Sequence, residues 1–207
     1  RERKGKGTGM RVIGITGPTG AGKSVVCKRL GDWERITVID CDQVARDVVR
    51  RGQRCLLDLA VEFSSAIIDK DGELNRRRLA GIVFRDRKKL RRMEGIMYPY
   101  ILDRIGMETA AREAAGDRAV FLDAPTLYQS GADSLCEKVA AVLAPEGDRL
   151  VRIMERDALS EEEARARMMS QPGDEFFEKR ADYIIRNTGE TSALRLQNLE
   201  LMNKLGL

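Results

Sequence analysis

The stretch Gly17-Pro18-Thr19-Gly20-Ala21-Gly22-Lys23-Ser24 constrains this chain more than any other. Arg11 to Thr16 (RVIGIT) precedes it, an apolar, β-branched run that predicts a buried strand, and Lys23 to Leu30 carries helical character after it. A strand that turns through glycines into a helix brings backbone N–H groups and the positive end of the helix to one place. The glycines let the backbone curl around an anion, Lys23 adds an ammonium, and the Ser24 hydroxyl suits a hard cation such as magnesium. The spacing is G-x-x-x-x-G-K-S/T, the P-loop pattern that cradles nucleoside triphosphates. Pro18 falls at a variable position, where its missing N–H is not needed. A turn with a purely structural task needs neither the lysine nor the serine. The expected nucleotide contacts are therefore Gly17, Gly20, Ala21, Gly22, Lys23, Ser24 and Val25.

The rest of the chain alternates in the same way. Ile36 to Ile39 (ITVI) predicts a second strand, ending on Asp40-Cys41-Asp42, with a helix after it in which Val44, Ala45, Val48 and Val49 recur. Gln53 to Ala115 is almost wholly helical, with breaks expected at Asp69 to Gly72 and at Pro99. Ala119 to Leu122 leads as a third strand into Asp123, Val139 to Leu143 is a fourth, and Tyr183 to Ile185 a last short one before a helix over Thr191 to Leu205. Ser160 and Glu163 form a capping box that starts a helix at Glu161. Strands alternating with helices imply an α/β fold, the three-layer αβα P-loop NTPase fold with a parallel five-stranded sheet. A single domain is expected over 10–207, with its core at 10–52 and 117–207. The helical block, about 53–116, is expected as a separate lobe beside the carboxyl ends of the strands, where ligands bind in such sheets, and a helical lid over about 146–172. Residues 1–9 (RERKGKGTG) read as a disordered leader outside the fold.

Composition removes several alternatives. The 207 residues include no His, which excludes histidine acid–base catalysis, a Ser-His-Asp triad and imidazole metal ligands. The net charge is only +4, and the basic runs Arg76 to Arg78 and Arg87 to Arg92 lack interleaved aromatics. They read first as solvated helix faces and second as a site for a small polyanion, so no nucleic acid is expected as partner. No apolar run approaches the ~20 residues of a membrane span, so no membrane partner is expected. Four widely spaced cysteines without a CxxC pair read as reduced thiols, and the chain is expected in the cytoplasm as a monomer or weak homo-oligomer.

Three acidic positions and one group of arginines are candidates for chemistry. Asp123 ends a buried strand, where it serves either as a second magnesium-side carboxylate or as a turn or cap residue before Ala124-Pro125. Asp40 and Asp42 end another strand. One of them would orient an acceptor hydroxyl and take its proton, and the competing role for Asp42 is to cap a helix starting near Gln43. Arg149, Arg152 and Arg156 share one helix face, with Arg165 and Arg167 on the next helix. They either close over phosphates or pair on the surface with Glu155, Asp157 and Glu161 to Glu163.

From Met10 onward the chain resembles the dephospho-CoA kinase family through motifs in the right order. These are the P-loop with its IGITG, and Val38 to Asp42 with Val44-Ala45-Arg46. Asp71-Gly72-Glu73-Leu74-Asn75-Arg76 with Leu79 and Ile82-Val83-Phe84 follows, and then Asp123-Ala124-Pro125 with Leu127. Arg152-Ile153-Met154, Arg156-Asp157, Ala164, Arg167 and Gln171 resemble the family's lid. Ala181 to Ile185 with Asn187 and Gly189 resembles its ending. The resemblance implies transfer of the ATP γ-phosphate to the ribose 3′-hydroxyl of dephospho-CoA. It further implies Asp42 at the acceptor hydroxyl, Arg152 as the lid arginine, Arg76 in the acceptor lobe and Asn187 near the adenine. With Lys23 at the phosphates, magnesium would sit between Ser24 and Asp123. Tyr98-Pro99 stands where the family usually has His-Pro, Thr126 to Gln129 where it has Leu-Leu-Phe-Glu, and Cys41 in the middle of its D-A-D. These departures bear on the acceptor side. The rival readings are a kinase for a smaller acceptor, a family member with weak turnover, and a GTP-binding switch using Asp69 to Gly72 as D-x-x-G. For the switch, Asn203-Lys204-Leu205-Gly206 lacks the Asp that reads guanine.

Overall fold

β1 (Arg11–Thr16), β2 (Ile36–Asp40), β3 (Ala119–Asp123), β4 (Lys138–Leu143) and β5 (Tyr183–Arg186) form one parallel sheet in the order β2-β3-β1-β4-β5. The computed structural model describes residues 9–207. The leader expected over 1–9 lies, apart from Gly9, outside the described residues. Near-continuous apolar strands are what a parallel sheet covered on both faces requires, and Ala119 to Leu122 and Val139 to Leu143 are all buried. On one face Ile13, Ile15, Phe121 and Val142 meet Val26 and Leu30 of α1 (Lys23–Gly31) and Leu194, Met202 and Leu205 of α10 (Thr191–Leu205). On the other, Ala141 and Leu143 meet Phe177 of α9 (Asp174–Glu178). The register sets Ile15 beside both Asp123 and Ala140, so the central strand β1 delivers Gly17 between its two neighbours. Gly14 lets α6 (Leu127–Ser130) close on β1, since a Cβ there would lie 2.7 Å from Leu127 Cδ2.

After β4, α7 (Glu146–Asp157) and α8 (Glu161–Met169) form the helical pair expected as a lid. The capping box is complete: Glu163 N donates to Ser160 Oγ at 3.3 Å and Ser160 N donates to Glu163 Oε2 at 2.9 Å. Those bonds to the Ser160 backbone and hydroxyl hold the Glu163 carboxyl below the usual carboxylate range.

The chain divides into two compact units. One comprises the residues up to Ile39 with Thr109–Leu207, and the other is Asp40–Glu108. The second unit holds α2 (Cys41–Asp47), α3 (Arg54–Phe63), α4 (Arg76–Val83) and most of α5 (Arg87–Ala114). Leu56, Leu59, Ile67, Leu79, Val83, Ile101 and Ile105 of this unit are buried, and the basic runs Arg76 to Arg78 and Arg87 to Arg92 are exposed apart from the half-buried Leu90. The break at Asp69 to Gly72 is a tight turn between Ile68 and Leu74, with Asp69 Oδ1 accepting from Asp71 N and Glu73 N. No helix among the described residues is long and apolar enough to cross a membrane.

One local expectation is overturned and one alternative is decided. Pro99 does not interrupt its helix, because α5 runs through it for 28 residues. Proline removes one hydrogen bond and frees the carbonyl four residues earlier, here that of Gly95. Gly95 and Pro99 are both exposed, so water reaches the freed group while the helix continues on either side. The second concerns the end of β2. Asp40, not Asp42, caps α2, accepting from Gln43 N at 3.0 Å, and the helix starts at Cys41. Asp42 lies in its first turn, exposed.

The proline penalty makes a test. Pro99→Ala is expected to raise the unfolding free energy by about 2 kcal/mol, the helix-interior cost of proline less the entropy it removes from the unfolded chain. Urea-denaturation midpoints measure this, and a midpoint below the parent's would show that packing along α5 depends on the proline.

Candidate active site

The site is built where β1 turns into α1. Gly17 has φ +146° and a Cβ there would overlap the Val142 carbonyl of β4, so only glycine lets the chain leave the central strand at this point. Gly22 is the N-cap of α1 at φ +88°, with no side-chain cap. The first turn of α1 carries no acidic residue to offset its positive end. Among the described residues, the N–H groups of Gly20, Gly22, Lys23 and Ser24 find no acceptor. A run of unsatisfied donors at a helix start is an anion site.

Lys23 Nζ forms an ion pair with Asp123 Oδ1, two side chains only about 15% exposed that are 100 residues apart in sequence. This joins two expected site residues. No cap of α6 falls to it, since Thr126 is the N-cap there and makes no side-chain cap, and its carboxylate faces the P-loop lysine. Ser24 is exposed in the first turn of α1, and Val25 N donates to Gly22 O at 3.1 Å. Among the described residues no group of three His, Cys, Asp or Glu gathers that could hold a metal by itself. Ser24 and Asp123 supply hard oxygen donors, the set magnesium takes when phosphate oxygens complete its shell.

The P-loop carbonyls face outward and meet donors from the far half of the sequence. Arg149 Nε donates to Thr19 O at 3.2 Å, Arg152 NH1 to Gly20 O at 3.2 Å, and Asn187 Nδ2 to Ala21 O at 2.9 Å. Thr19 N donates to Gln171 Oε1 at 2.8 Å, and Arg149 NH1 donates to Asp174 Oδ1 at 2.9 Å. The arginines divide into two groups, and the surface-pair alternative describes one of them. Arg149 and Arg152 grip the P-loop. Arg165 and Arg167 pair with Glu161 and Asp157, exposed contacts that salt screens and that contribute little. Asn187 is 6% exposed, and its Oδ1 accepts from Gly189 N at 3.2 Å. The expectation set it near the adenine, and the structure places its amide against Ala21. The roles of Arg149, Gln171 and Asp174 were not foreseen. The face shared by Arg149 and Arg152 was visible in the spacing, but the burial of Arg149 to 7% exposure was not.

In the second unit Arg76 begins α4, exposed, one residue after the N-cap Asn75, whose Oδ1 accepts from Arg78 N at 2.9 Å. Burial first, then the charge of Glu94 and a hydrogen bond to it, push the Tyr98 phenol up to about 12, so at neutral pH it is a neutral donor. The D-x-x-G match is the turn at Asp69 to Gly72 described above, and Asn203 and Lys204 end α10. Neither has the setting of a guanine switch.

The family model described as dephospho-CoA kinase matches residues 11–193. The dephospho-CoA kinase of Geobacillus kaustophilus is 34% identical over 93% of this chain and 95% of its own length. A crystal structure of a Thermus thermophilus protein superposes with a TM-score of 0.80 at 33% identity, covering 95% of this chain and 98% of the other. The dephospho-CoA kinase of Campylobacter jejuni superposes at 0.69 with 26% identity, covering 94% and 96%.

Replacing the donating amide at position 187 by an acceptor tests its grip. Asn187→Asp sets a carboxylate against the Ala21 carbonyl and is expected to cost about 2–3 kcal/mol of stability, the scale of a buried polar group left unsatisfied. Chemical denaturation measures it, and a parent-like midpoint would show that this bond carries no weight.

Proposed function

The chain belongs to the dephospho-CoA kinase family, and on that premise we propose that it transfers the γ-phosphate of ATP to the ribose 3′-hydroxyl of dephospho-CoA, giving CoA and ADP. The observation that carries the reading is the turn from Gly17 to Ser24. It offers open N–H donors, the Lys23 ammonium and a helix start without acidic residues to one polyanion. In the reaction the 3′-hydroxyl oxygen attacks the γ-phosphorus as the bond to the β–γ bridging oxygen breaks. The electron pair of that bond leaves with ADP.

Asp42 orients the hydroxyl and takes its proton. Asp40 is the cap of α2, and Asp42 is exposed in its first turn. Lys23 and the N–H groups of the turn hold the β- and γ-phosphates, and Arg152 stabilises the charge that develops on the transferring group. Ser24 and Asp123 would hold magnesium, which would supply charge neutralisation at the phosphates. Asn187 acts on the nucleotide through the Ala21 carbonyl that it holds. Arg76 engages the acceptor, and Tyr98 offers it a neutral O–H. Four buried cysteines, in no disulfide among the described residues, support a reducing compartment, and we assign the reaction to the cytoplasm, with the protein a monomer or weak homo-oligomer.

A coupled assay of ADP release with ATP, magnesium and dephospho-CoA tests the reading. Lys23→Ala is expected to abolish CoA formation. Asp42→Asn is expected to lower kcat by about 10²- to 10⁴-fold with the KM for ATP nearly unchanged. Preference for a nucleoside over dephospho-CoA would overturn the acceptor assignment, and full turnover by Asp42→Asn would overturn the proton-transfer role.

A further inference from the structure

Thr19 has three polar groups, and side chains from α7 and the segment after α8 engage all of them. Arg149 Nε donates to its carbonyl at 3.2 Å, Gln171 Oε1 accepts from its N–H at 2.8 Å, and Arg156 NH2 approaches its hydroxyl more loosely at 3.5 Å. Arg149 differs from the other two in burial. Its side chain is 8% exposed, and its second edge is fixed by Asp174, which is 42% exposed. A guanidinium stripped of water is held only where its planar fork meets acceptors at fixed angles, a demand that an ammonium does not meet. The backbone of α7 closes on the same spot, since a Cβ on Gly20 would lie 2.7 Å from the Arg149 carbonyl oxygen.

The peptide that joins Thr19 to Gly20 is planar and trans, so its C=O and N–H point in opposite directions. Holding the Thr19 carbonyl outward therefore turns the Gly20 N–H inward, where it has no acceptor among the described residues. We propose that Arg149 is a positioning residue that, anchored by Asp174, aims the Gly20 N–H at the phosphates of the bound nucleotide. It touches no substrate atom and acts through one peptide plane. The assignment rests on the reading of this turn as the nucleotide site.

The test measures binding of AMP-PNP with magnesium by calorimetry, the KM for dephospho-CoA, and thermal unfolding. Arg149→Met, which keeps the length and loses both donors, is expected to bind the analogue about tenfold more weakly, the scale of one hydrogen bond to a charged group. The KM for dephospho-CoA stays within about twofold. Arg149→Lys is expected to bind no better than Arg149→Met, because one ammonium cannot hold both partners at the fork's angles. A purely structural role would instead lower the unfolding temperature and leave the analogue's affinity within about twofold, or weaken both ligands alike, and either result overturns the proposal. Should Arg149→Met fail to fold, Asp174→Ala at the exposed end of the pair decides. Binding weakened about threefold or more supports the anchor, and parent-like binding overturns it. Failure of the parent protein itself to bind the analogue would refute the nucleotide site instead.

Discussion

The phosphate-binding turn cannot hold its own shape. It places Gly17, Gly20 and Gly22 at positive φ and points three consecutive carbonyls, those of Thr19, Gly20 and Ala21, away from the place where an anion belongs. Each is held by a donor between 130 and 166 residues away in sequence. Those donors reach the turn only because β4 and β5 lie in register beside β1, so that α7 leaves one strand and Asn187 ends the other next to the P-loop. The sheet thus acts as the jig for the site. Its buried strands set the spacing, and donors carried beyond their carboxyl ends hold the carbonyls of Thr19, Gly20 and Ala21.

Much of this was legible from local signals. All five strands read true because a strand covered on both faces needs an unbroken apolar run, as in RVIGIT and VAAVL, and few other elements of that length do. The capping box at Ser160 and the P-loop are also local, since each depends on residues within one or two turns. Pro99 was misread because its intrinsic cost is local while its remedy is not. Exposure of Gly95 to water lets a long helix absorb the lost bond. At Asp40 and Asp42 the two carboxylates look alike in sequence, and only the backbone direction at the strand end selects the capping one.

The site divides along the same line. Lys23 and Ser24 are written into one motif, but their partners are not. That Asp123 meets Lys23 follows from the pairing of β1 with β3, and that Arg149 is buried follows from how α7 seats on the turn. Spacing showed that Arg149, Arg152 and Arg156 share a face, but not which of them the P-loop takes. Surface pairs such as Arg165 with Glu161 arise wherever opposite charges are four residues apart on a helix, and carry little information about function.

The missing imidazole reaches beyond the ligand count. The one side chain that ordinarily changes charge across neutrality is absent from all 207 positions, and where the resembled family pattern has one, the half-buried phenol of Tyr98, pushed up to about 12, stands instead. Cys55, pushed up to about 11 by burial and then by Asp58, also stays protonated through that interval. The catalyst therefore meets acidification of its surroundings without an imidazole switch of its own. The second ionisation of the phosphate groups that it handles, at about pH 6, falls in the interval where no imidazole does. The substrates thereby bring to the site a titration that no imidazole of the protein supplies.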